Sequence, residues 1–86
     1  MRDLAHMPVK GRVAQALLSL KAKFGETEDG SINIILSRQD LASYTGTTYE
    51  TVFRIINELV DEGAIKASGK NIAIADTPKL FSLTQH

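Results

Sequence analysis

The chain has 86 residues, ten basic and ten acidic, for a formal net charge of zero. This is one small domain, able to bury roughly 60–65% of the surface its unfolded form exposes. Its 43% hydrophobic and 23% charged residues exclude a disordered polar chain. With no cysteine, disulfide scaffolds and thiolate zinc sites are excluded, and no apolar run approaches the ~20 residues of a membrane span. A sequence pI near 6.7 argues against nucleic acid, since domains that bind it usually exceed about 9.

That neutrality is a sum of blocks. Residues 1–24 carry five bases and one acid, and residues 25–30 carry three acids. Residues 31–54 hold two of each, residues 55–63 three acids, and residues 64–86 three bases and one acid. Which blocks folding brings together decides what the surface can bind.

In chain order, Pro8 suits the first turn of a helix, where its missing N–H costs nothing. Val13, Leu17, Leu20 and Phe24 then recur as one apolar stripe on a helix of about 15 residues. Gly25 stands where a left-handed C-terminal residue belongs, and residues 25–30 read as an exposed acidic loop. Residues 31–36, rich in isoleucine, predict a short strand. Ser37 and Asp40 form a capping pattern for a helix of two turns, with Leu41, Ala42 and Tyr44 on its apolar side. Gly46 ends it. Thr47 and Thr48 each qualify as the next N-cap, before a helix over about 49–62 with Val52, Ile55, Ile56, Leu59 and Val60 inward. Gly63 closes that helix. Residues 65–67 and 71–75 form a hairpin around Ser68-Gly69-Lys70, and Asp76-Thr77-Pro78 caps a last short helix over residues 79–83.

The order specifies an α+β chain, mainly α: a winged helix-turn-helix, with a three-helix core and a small antiparallel sheet as the wing. Such a motif places its second helix in the DNA major groove. At 100° per residue, with Val52 at 0°, Leu59 falls near about 340°, Ile56 about 40° and Ile55 about 300°. Glu50 (about 160°), Arg54 (about 200°) and Asn57 (about 140°) point the opposite way, with Tyr49 and Phe53 on the border. Glu50 can accept from cytosine N4, and Arg54 can donate twice to guanine O6 and N7. The bland alternative is an i, i+4 surface ion pair between them, worth a few tenths of a kcal/mol.

Three segments resemble a known family. Leu36 to Ile56 (LSRQDLASYTGTTYETVFRII) is similar to the DNA-binding segment of the catabolite-activator/FNR (Crp/Fnr) bacterial transcription regulators. Ala64 to Ile74 (AIKASGKNIAI) resembles that family's wing, and Gly11 to Leu20 (GRVAQALLSL) the helix that opens its C-terminal domain. The likeness covers roughly residues 8–76, with E-T-V-x-R at Glu50 to Arg54 its most specific part.

The resemblance implies sequence-specific binding of double-stranded DNA. Glu50 and Arg54 would read bases, with Tyr49 and Phe53 as further candidates. Tyr49 stands where some members carry a base-reading arginine and others an apolar residue. Phe53 stands where a small residue is common, and either touches a thymine methyl or packs at the helix border. Ser37, Arg38, Gln39, Thr48, Thr51 and Lys70 would hold phosphates, and Lys10 is expected on the same side. The family's members carry an N-terminal sensor domain and a dimerisation helix. Residues 1–7 are therefore read as the end of that helix or a linker, and residues 8–86 as the DNA-binding domain of a longer, cytoplasmic, homodimeric regulator. RNA polymerase is a further partner that the family implies, and no membrane partner is expected. No cofactor is expected in this chain; an effector such as a cyclic nucleotide would bind the sensor domain.

Two other classes compete with this reading. The only histidines, His6 and His86, lie near opposite ends, and nothing sets a base beside a nucleophile or spaces metal ligands, so an enzyme is not expected. A winged helix used only for protein contact is the alternative. It has no need for Arg38, Arg54, Lys70 and the threonine hydroxyls to share a face.

Overall fold

A computed structural model describes residues 8–85, so the expectations for residues 1–7 and for both histidines lie outside it. Helix α1 (Val9–Phe24) begins directly after Pro8, which serves as its N-cap at φ −57°. Gly11, Val13, Ala14, Ala16, Leu17 and Leu20 form its buried stripe. Phe24, expected on that stripe, is 42% exposed: it is the helix's last residue, and it borders a shallow groove also lined by Leu20, Ile34, Leu36 and Tyr44. Gly25 has a positive φ of 75° but a ψ of −165°. It is therefore not the left-handed residue expected, and the chain leaves α1 extended, in a region that is essentially glycine-only.

The strand expected over residues 31–36 is reduced to two isolated bridges, Glu26 with Ile32 and Ser31 with Ala73. The hydrogen bonds give the reason. Ile32 N–H donates to the Ile72 carbonyl at 2.8 Å, but Ile34 N–H then turns back to the Ile32 carbonyl at 2.7 Å. The ladder cannot extend past that reversal. The side-chain alternation survives it: Ile32 is buried, Ile34 and Leu36 pack against the core, and Ile35 is exposed.

Helix α2 (Arg38–Thr45) is capped by Ser37, whose hydroxyl accepts from Asp40 N–H at 3.0 Å. Gly46 ends it in the left-handed region, with φ 77° and ψ 32°. Helix α3 (Tyr49–Asp61) follows with Thr48 as its cap. It buries Val52, Ile55, Ile56 and Leu59, while Val60, at the border of that face, stays partly exposed. Strands β1 (Ile65–Ser68) and β2 (Asn71–Ile74) pair antiparallel, with Ser68 opposite Asn71. The two-residue turn has its positive φ at Gly69 alone, the glycine position of a type II′ hairpin. Helix α4 (Thr77–Ser82) is capped by Asp76 and seats Leu80 against α1.

One cluster of buried side chains joins α1, α2, α3, the hairpin and Leu80. Each fully buried leucine, isoleucine or valine contributes about 1.5–3 kcal/mol by leaving water. This core fixes α2 against α3 and sets the hairpin beside them. No helix among the described residues is long and apolar enough to cross a membrane.

Candidate nucleic-acid interface

The turn between α2 and α3 is made by three residues, 46–48. Gly46 and Thr47 both donate their N–H groups to the Ala42 carbonyl, at 2.9 and 3.0 Å. This closes α2 and aims the chain into α3. At the start of α3, the Thr48 hydroxyl accepts from Thr51 N–H at 3.2 Å and donates to the Thr51 hydroxyl at 2.8 Å. The N–H groups of the first turn and the positive end of the helix dipole open beside this hydroxyl pair, a setting that favours an anion.

All four residues expected to read bases are exposed. Glu50 lies in the first turn of α3, where the helix dipole stabilises its charge. Arg54 stands one turn on, its side chain 63% exposed. It does not make the alternative ion pair with Glu50. Its Nη1 donates instead to Glu58 Oε2 at 3.0 Å. Tyr49 and Phe53 stack on each other, with ring centroids 6.1 Å apart and planes 16° off parallel. Each is 49% exposed, so the pair packs on itself at the helix border rather than in the core.

The phosphate candidates fall into two groups and one outlier. Ser37, Arg38 and Gln39 open α2, and Arg38 Nη2 donates to the Gly69 carbonyl at 3.3 Å. That bond brings the start of α2 beside the wing turn and hence beside Lys70. Thr48 and Thr51 form the second group. Lys10 is the outlier. Its Nζ lies 2.5 Å from Glu62 Oε2 and 3.6 Å from Glu58 Oε1, so it sits at the C-terminal end of α3. A helix of 13 residues is about 20 Å long, which separates Lys10 from the Thr48 cap. The hydrogen bond to Glu62, aided by the charge of Glu58 and opposed by partial burial, raises the Lys10 pKa above its ordinary value.

Sequence reasoning missed Glu58, although it stands four residues after Arg54 just as Glu50 stands four before. It also missed how the charge at the end of α3 is compensated. The last turn of α3 has no basic residue, and Glu58, Asp61 and Glu62 there oppose the helix dipole. The compensating cations come from other helices: Lys10 of α1, and Lys79 of α4, which donates to the Glu62 carbonyl at 2.7 Å.

Residues 11–83 match the family model of the Crp-like helix-turn-helix domain. The chain belongs to the Crp/Fnr family of transcription regulators. A CRP-like cAMP-activated global transcriptional regulator of Mycobacterium tuberculosis is 33% identical over 82 residues, covering 93% of this chain and 37% of that protein. The cAMP-activated global transcriptional regulator CRP of Pasteurella multocida is 40% identical over 77 residues, 87% of this chain and 36% of that protein. A transcriptional regulator of the CRP/FNR family from Thermus thermophilus superposes with a TM-score of 0.85 at 32% identity, over 96% of this chain and 43% of that one. The chain thus spans a little over a third of the curated Crp relatives it matches, and its fold is their helix-turn-helix domain with a two-stranded wing.

Proposed function

We propose that this domain binds double-stranded DNA sequence-specifically, as the output domain of a transcription regulator, with α3 in the major groove. One observation carries the reading: Glu50 and Arg54 are both exposed, one turn apart, on the α3 face opposite buried Val52 and Leu59. In the second helix of a Crp-like helix-turn-helix, that face is the one turned to base edges. Arg54 reads guanine and Glu50 accepts from cytosine. Tyr49 and Phe53 form an apolar flank able to meet thymine methyls.

Around these base readers stand the groups that fix position. Arg38 and Lys70 hold the backbone on the wing side, together with Ser37 and Gln39. The Thr48 and Thr51 hydroxyls hold it at the start of α3. Thr48 gives its proton to Thr51, which leaves the Thr51 proton for a phosphate oxygen. Such contacts set register, and the base readers set sequence. Two copies held as a dimer would place their α3 helices in successive major grooves, ~34 Å apart, on a near-palindromic site. An effector would act by changing the relative placement of the two copies, through the part of the relatives that this chain does not span.

The test is selection from a random duplex library by the chain fused at its N-terminus to a parallel two-stranded coiled coil. Enrichment of a two-fold symmetric site with half-sites one helical turn apart is expected. Binding that neither enriches a sequence nor weakens with salt would instead favour the protein-contact reading, because each phosphate contact contributes about −0.9 to the slope of log K against log salt.

A further inference from the structure

We propose that Glu58 is a positioning residue for Arg54 and is itself seated by Lys10, so that the start of α1 governs how the arginine is presented. The proposal rests on the reading of Arg54 as a base reader. Both oxygens of the Glu58 carboxylate face cations on different helices: Oε2 accepts from Arg54 Nη1 at 3.0 Å, and Oε1 lies 3.6 Å from Lys10 Nζ. Lys10 is anchored a second time, by Glu62 Oε2 at 2.5 Å. The chain of contacts runs from the first turn of α1 to the exposed crest of α3.

Helix stability does not account for this arrangement. An arginine placed N-terminal to a glutamate is the weaker order of an i, i+4 pair, and acids in the last turn oppose the dipole. What the arrangement does is orient. An exposed arginine otherwise samples many rotamers, and fixing it before binding lowers the entropy lost on docking. The atom used matters as well. Glu58 takes Nη1, which leaves the Nε–Nη2 edge of the guanidinium to donate two parallel bonds to guanine O6 and N7. Glu58 therefore holds Arg54 without competing for that edge. Lys10 lies where the chain joins residues 1–7, so a shift of the α1 start would withdraw the lysine from Glu58 and loosen Arg54.

The experiment uses the 86-residue chain on its coiled-coil fusion and three duplexes: the selected site, the same site with the Arg54-read pair exchanged, and an unrelated sequence of equal length. Glu58→Gln should raise Kd for the selected site about two- to fivefold and reduce its preference over the exchanged site. Affinity for the unrelated duplex should stay level or rise, because a negative charge has been removed from a domain that binds a polyanion. Glu58→Asp, which keeps the charge and shortens the reach, should also lose preference. Lys10→Met should act in the same direction more weakly, and add nothing in the Glu58→Gln background. Equal tightening on all three duplexes by Glu58→Gln, or an unchanged preference in Glu58→Asp, overturns the proposal. Arg54→Ala separates the two readings. If it leaves the preference intact, the base-reading assignment itself falls; if it abolishes the preference while the Glu58 variants keep it, only the positioning role falls.

Discussion

Arg54 and Lys70 are both exposed cations, and their removal should read out differently. Arg54→Ala should cost about 1–3 kcal/mol on the selected site and relax one base position. Arg54→Lys should not restore it, since an ammonium cannot supply the two parallel donors. Lys70, at the wing turn, is proposed to meet the DNA backbone. Lys70→Ala should weaken binding evenly across sequences and reduce the salt slope by about 1, and a changed base preference would count against that role. A third residue acts on stability instead. Asp29 accepts from the Thr27 hydroxyl and from Ser31 N–H, bonds that favour the carboxylate and lower its pKa below the ordinary 3.8. A depressed folded pKa contributes stability above the unfolded value and loses it as pH falls through the folded one. Asp29→Asn should therefore lower the denaturation midpoint at neutral pH, with the gap to the parent closing below about pH 3.8. A gap that persists at lower pH would show that the carboxylate's charge is not what closes this loop.

At the level of elements, two glycines end helices by different means. A Cβ at Gly25 or Gly46 would meet nothing within 4 Å, so the cost of a side chain is set by the backbone alone. Gly46 is left-handed, where alanine costs about 1–2 kcal/mol and asparagine less. Gly25, with ψ −165°, lies where no other residue is at ease. Gly25→Ala should thus destabilise more than Gly46→Ala, and asparagine should rescue position 46 but not 25; thermal unfolding of the four variants checks the order. The difference also marks how far the sequence could be read. Caps, apolar stripes and glycine stops are local signals, and they place α1, α2, α3, the hairpin and α4 within a residue or two. The strand over residues 31–36 was not legible, because its fate turns on one Ile34-to-Ile32 hydrogen bond rather than on β propensity. Nor was the Lys10–Glu62 contact, whose partners are 52 residues apart and meet only once α1 and α3 pack. Periodicity alone set the crest of Glu50 and Arg54. The Glu58 partner of Arg54 lay within the same i, i+4 spacing, and only the Lys10 contact to Glu58 needed tertiary structure.

For the molecule as a whole, zero net charge resolves into faces. One acid of the 25–30 loop and two of the α3 end are met by lysines: Lys21 lies 3.2 Å from Glu26, and Lys10 lies 2.5 Å from Glu62 and 3.6 Å from Glu58. Arg38 and Lys70 stay beside the start of α2 and the wing turn, outside those pairs. A single domain therefore offers few cations to phosphate, and counterion release, which drives non-specific affinity, is correspondingly small. On the proposed reading, tight binding comes from joining two such readers. Tethering makes the second contact intramolecular, at an effective concentration in the mM range for a short linker. The coiled-coil fusion should bind a duplex carrying both half-sites about 10²–10⁴-fold more tightly than the isolated chain does, with roughly twice its salt slope. On a duplex with one half-site destroyed, most of that gain should vanish. Titrations of both forms against both duplexes at two salt concentrations decide it. An isolated chain that matched the fusion would mean that the face presented to DNA carries more positive charge than Arg38, Lys70 and Arg54 supply.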